Sequence, residues 1–91
     1  LSNHCKQITK LTLKSLKFDN NALENALINL SDLESLDIGF CMQISSVKLN
    51  HLSKLKNLNL SGCMQIDCEL LINELENLPD FQNLNLSWWN I

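Results

Sequence analysis

The chain has 91 residues, a mass of 10.4 kDa and a formal net charge of -3, which bounds it to one small domain with a core of limited size. Seven lysines without an arginine stand against ten acids; they read as spread along the chain with no basic block, which excludes a nucleic-acid partner from the expectations. No apolar run reaches the roughly 18 to 20 residues of a membrane span and no basic leader precedes an apolar stretch, so neither a membrane partner nor secretion is expected.

Read in chain order, the sequence repeats itself. Residues 1–7, LSNHCKQ, read as the tail of a unit that begins earlier. Then ITKLTLKSL (8–16), LESLDIGFC (33–41), LKNLNLSGC (55–63) and FQNLNLSWW (81–89) share one template, Leu-x-x-Leu-x-Leu-x-x followed by Cys or another residue. The units span 8–32, 33–54 and 55–80, with a partial one at 81–91. Each complete unit is 22 to 26 residues long, within the range of about 20 to 29 for leucine-rich repeats.

Each unit divides into a strand half and a helix half. Leu11 and Leu13, Leu36 and Ile38, Leu58 and Leu60, and Leu84 and Leu86 alternate with polar residues, the period of a strand buried on one face. In NNALENALINL, Ala22, Leu23, Ala26, Leu27 and Leu30 fall at helical spacing, with Asn21 as the expected N-cap and Glu24 three positions on. The middle unit, SSVKLNHLSK, has room for about two helical turns. In DCELLINELENLP, Asp67 is the expected cap, Leu71, Leu75 and Leu78 the apolar stripe, and Pro79 the stop.

The fold expected from this pattern is α/β: a leucine-rich repeat solenoid of about three full repeats plus partial ends, with short parallel strands on the concave face and helices on the convex face. The tetrapeptide Cys-Met-Gln-Ile, written at 41–44 and again at 63–66, then acts as punctuation. Cys41 and Cys63 hold the ninth position, where a small group fills the turn and bonds to passing backbone. Ile44 and Ile66 plug the core beneath, while Gln43 and Gln65 face solvent or the turn.

Reactive chemistry fits the cysteines less well. Cys63 and Cys68 lie wider apart than a usual zinc pair, and His4 and His51 have no ligand spacing. Leucines supply a core without disulfide staples. Cys5 beside His4 is a sequence neighbour with no oriented partner. No metal, no cofactor and no catalysis are expected, and reduced, buried cysteines point to a cytoplasmic or nuclear setting. The Asn-x-Ser matches at Asn29, Asn59 and Asn85 are expected to be fortuitous, the last two lying where a glycan would clash with stacked neighbours.

LSNHCKQITKLTL, LNLSGCMQI and LNLSWW together resemble the cysteine-containing leucine-rich repeats of F-box proteins, and the resemblance covers essentially the whole chain. Leu16 and Trp89 depart from it at the ninth position, and the chain contains no F-box helices. The resemblance implies a protein-binding module that recognises substrates for a Skp-cullin-F-box ubiquitin ligase. Its partners would be a ubiquitination substrate and, through an F-box absent from these residues, the ligase core. The alternative is a structural or assembly subunit of an intracellular or organellar complex.

In such a solenoid the residues between the core leucines form columns on the concave wall: Lys10, Ser35, Asn57 and Asn83; Thr12, Asp37, Asn59 and Asn85; Lys14, Gly39, Ser61 and Ser87. The wall reads as polar, mixed and nearly neutral, suited to hydrogen-bonding an extended protein segment, although neighbouring amides could equally satisfy one another in a ladder. Phe40 and Trp88 at its edge are candidate aromatic anchors, while Trp89 is expected to serve as core for a following repeat. The candidate binding residues are therefore Lys10, Thr12, Lys14, Asp37, Phe40, Asn57, Asn59, Asn83, Asn85 and Trp88. Open ends should make the isolated chain marginal or self-associating.

Overall fold

The computed structural model describes residues 8–89; the expectations for the 1–7 tail, including those for His4 and Cys5, lie outside them. Four strands and two helices follow one another as β1 (Lys10–Thr12), α1 (Asn20–Leu27), β2 (Ser35–Asp37), β3 (Asn57–Asn59), α2 (Cys68–Leu75) and β4 (Asn83–Asn85). The strands form one open parallel sheet in sequence order, β1-β2-β3-β4. Leu11, Leu36, Leu58 and Leu84 stand opposite one another across it, so the alternating pattern read from the sequence is in register.

The same backbone bonds recur at every step. The amides of Glu34 and Ser35 both donate to Thr9 O, those of Lys56 and Asn57 to Glu34 O, and those of Gln82 and Asn83 to Lys56 O. Past the strands, Leu13, Ile38 and Leu60 donate to the carbonyls of Asp37, Asn59 and Asn85. A slip of one residue would turn every core leucine to solvent, so apolar burial and this ladder select the same register.

One core runs through the chain. Leu36, Ile38, Leu58 and Leu60 of the strand segments meet Leu23 and Leu27 of α1, Leu71 of α2, and the turn residues Ile44 and Ile66. Complete burial of each such side chain stabilises the fold by about 1.5 to 3 kcal/mol relative to exposure. The return paths share a further device: leucines three apart bond in consecutive turns, Leu30 to Leu27 and Leu33 to Leu30, Leu52 to Leu49 and Leu55 to Leu52, Leu78 to Leu75 and Phe81 to Leu78, N–H to carbonyl each time.

Several local expectations are corrected. The α1 cap is Asp19, in extended conformation with its carboxylate accepting Ala22 N–H at 2.9 Å, because an oxygen two positions before Asn21 reaches the open amide of the third helical residue. Ala22 and Ala26 are exposed; Leu23 and Leu27 alone form the buried face of the helix. Asp67 caps α2 as expected, accepting from Glu69 N–H at 2.8 Å and Leu70 N–H at 3.3 Å. That helix closes at Leu75, before Pro79, and Leu78 is buried in the turn beyond it.

The middle unit forms no helix. Val47 and Leu49 are buried while Lys48 and Asn50 are exposed, a period of two that belongs to extended chain. Its backbone donors are met from both sides. Asn20 of α1 accepts from Ser45 N–H at 3.0 Å and Ser46 N–H at 3.4 Å and donates to Ser45 Oγ at 2.9 Å. Glu74 of α2 accepts from Leu49 N–H at 2.6 Å and Asn50 N–H at 3.1 Å.

Candidate functional site

Repetition fixes the groups that border the sheet's polar face before any ligand chemistry enters. The Cys41 thiol donates to Leu13 O at 3.1 Å and the Cys63 thiol to Ile38 O at 3.0 Å, each reaching the end of the preceding strand segment. Burial is the largest effect on both thiols and raises their pKa above the ordinary 9.0, which keeps them protonated donors. Trp89 does the same with a different group, its indole N–H meeting Leu60 O at 2.7 Å. The Trp89 side chain also packs against the core. Cys41, Cys63 and the exposed Cys68 are free thiols. Among the described residues no group of three or more His, Cys, Asp or Glu side chains is placed to share a metal ion.

Before each ninth position the chain enters the left-handed region, at Ser15 (φ 61°), Phe40 (φ 59°), Gly62 (φ 74°) and Trp88 (φ 73°). Glycine takes this conformation without strain, whereas a bulky residue there costs on the order of 1 to 3 kcal/mol. Gly62 answers a second demand as well, since a Cβ on it would collide with the Phe40 ring. Phe40 thus spends part of its surface on the next unit and is 38% exposed, while Trp88 is 75% exposed.

The wall columns resolve into two kinds. In the first, Asn83 Nδ2 donates to Asn57 Oδ1 at 2.6 Å and Asn57 Nδ2 donates to Ser35 Oγ at 2.9 Å, a ladder of side chains across three strands. In the second, each oxygen folds onto its own backbone: Asp37 accepts from Gly39 N–H, Asn59 from Ser61 N–H and Asn85 from Ser87 N–H, all at 2.9 Å. These turns pin the side chains in place. Thr12, Lys10 and Lys14 are exposed on β1 and just beyond it.

Together the four strands line a shallow hollow of about 500 Å³. It brings Lys10, Thr12, Asp37, Asn57, Asn59, Asn83 and Asn85 to one surface; Lys14, Phe40 and Trp88 are not among its lining residues. The sequence pattern missed Met42 and Met64, which are 46% and 53% exposed at matching places in successive turns. Their signal was the repeated Cys-Met-Gln-Ile, in which only the methionine is both apolar and outside the core. Among the described residues no helix is long and apolar enough to cross a membrane. No protein-family model matches the chain, and no curated protein or solved structure matches it either.

Proposed function

We propose that the chain is a segment of a leucine-rich repeat solenoid whose hollowed polar wall binds another protein. Within that reading it is the substrate-recognition part of an adaptor for a Skp-cullin-F-box ubiquitin ligase, a module that catalyses nothing itself and raises the local concentration of its substrate near an enzyme. The observation that carries the binding role is the row of side chains in equivalent, hydrogen-bonded positions on successive strands, facing a hollow of about 500 Å³. The resemblance of LNLSGCMQI and LNLSWW to F-box adaptor repeats supports the ligase setting.

A second reading, a subunit that holds a larger assembly together, is favoured by Leu70 and Ile72. They are 51% and 56% exposed on α2, and apolar residues there would suit a contact on the helical side.

The two separate in a copurification experiment on the intact parent protein, read by mass spectrometry beside variants carrying Asn59→Asp and Trp88→Gly. Both substitutions preserve the local backbone, because Asp37 already makes the Asn59 type of turn and glycine accepts the Trp88 conformation. Skp and cullin components with every version, and loss of one other protein from the variants, are expected. A fixed assembly without ligase components would sink the adaptor reading in favour of the scaffold.

A further inference from the structure

The wall presents amide donors held in fixed positions, and the cause lies in its own turns. An amide that accepts a backbone N–H through its oxygen keeps its nitrogen for another partner, with no ambiguity about which atom is which. Asn59 and Asn85 are both so placed, and among the described residues neither Nδ2 meets an acceptor. Their oxygens are tied to the backbone and their donors are left for a partner on adjacent strands, about 4.8 Å apart at the backbone. Asn57 Oδ1 and Ser35 Oγ are likewise occupied as acceptors within the ladder. The one carboxylate in the hollow, Asp37, holds Gly39 N–H through Oδ1 and keeps Oδ2 as an anionic acceptor, so the acidic side chains of a ligand belong over the lysines and not beside it.

Charge points the same way. Lys6, Lys10, Lys14 and Lys17 precede the first acid, Asp19, whereas residues 19–91 hold all ten acids and three lysines. The expectation of charge spread along the chain with no basic block is corrected by this division. Two of those later lysines are paired, Lys54 with Asp32 at 2.9 Å and Lys56 with Glu34 at 3.6 Å. Lys10, Lys14 and Lys17 are exposed and form no ion pair among the described residues. The β1 end of the wall is therefore cationic, the β3–β4 half carries fixed neutral donors, and the strip just beyond the strands adds the exposed apolar Trp88.

We infer that the wall takes an extended, carboxylate-rich segment of a partner protein, its acidic side chains over Lys10 and Lys14 and its remaining oxygens on the amide nitrogens of Asn59 and Asn85. This rests on the protein-binding reading and names the chemistry of the partner within it. Charge complementarity selects such a segment over a neutral one and makes its association sensitive to salt.

The test pans an unbiased phage-displayed library of random peptides of about 12 residues against the immobilised protein. It then measures one synthesised winner by titration against three proteins: wild type, Asn59→Asp/Asn85→Asp and Lys10→Gln/Lys14→Gln. The asparagine variant keeps both turns, as Asp37 shows, and replaces each donor by a negative acceptor; its thermal transition checks that the fold is retained. Expected are winners enriched in Asp and Glu, binding that weakens with added salt, and a loss of about tenfold or more in both variants. Winners without acidic enrichment that are still lost in the asparagine variant would overturn the inference and leave the protein-binding wall standing. Winners indifferent to both variants, or no enrichment over uncoated support, would overturn the two together.

Discussion

Three of the four ninth-position residues share one task with unlike chemistry. Cys41, Cys63 and Trp89 each send a single donor to the carbonyl that closes the preceding strand segment. A thiol does this only while protonated. Because burial raises the pKa of Cys41 and Cys63 above the ordinary 9.0, the folded state holds these protons more tightly than the unfolded chain. The resulting stabilisation is complete below about pH 9 and is lost as pH rises through the folded-state values. Urea unfolding at about pH 8 and about pH 10 should show lower stability at the higher pH, and Cys41→Ala/Cys63→Ala should flatten that difference. An equal alkaline loss in the double variant would refute this account. The placement of both cysteines was legible from their spacing. The Trp89 bond was not, because a tryptophan at that position satisfies the same donor role with a side chain that looks like core.

At the level of elements, strands were read well and return segments unevenly, for a physical reason. A strand of this chain is fixed by two leucines and its neighbours' backbone, both repeated in the sequence, so each position is specified several times over. The return segments depend on which side chains reach across from adjacent units. Asn20 and Glu74 hold the middle unit open as extended chain, and no local pattern in SSVKLNHLSK reports acceptors that lie about 25 residues away. Leucines at period three also imitate a helix where consecutive tight turns are built, as at Leu49, Leu52 and Leu55. Removing the Glu74 acceptor leaves two backbone donors of a partly buried segment without a partner. Glu74→Ala should cost about 1 to 3 kcal/mol and Glu74→Gln distinctly less, since an amide oxygen can replace the carboxylate. Equal stabilities of the two variants in urea would show that this bridge contributes little.

For the whole molecule, the wall columns were legible from the alternation of residues, but their division of labour was not. Asn57 and Asn59 look identical in the sequence, yet one joins a cross-strand ladder and the other folds onto its own turn. The sheet is open, and its last strand is poorly covered: every residue of β4 is exposed, with Leu84 at 40%. Among the described residues β4 pairs with β3 alone, and a strand edge of that kind invites pairing with another chain. The isolated 91-residue chain is expected to sediment as a concentration-dependent mixture, and Leu84→Lys, which places a charge on that edge, should shift it toward monomer. A single monomeric boundary at all concentrations would contradict the expectation.

The ring of Phe40 lying over Gly62 also limits how such a molecule can grow. A unit whose left-handed position carries an aromatic needs a successor with glycine at the same place, so the units are not interchangeable bricks. Copying residues 33–54 in tandem would set one phenylalanine beneath another, whereas copying the pair 33–80 together would restore the phenylalanine-before-glycine order within each copy. Lengthening this protein by duplication is therefore open to the pair 33–80, or to the glycine-bearing unit 55–80 by itself, but not to 33–54 by itself.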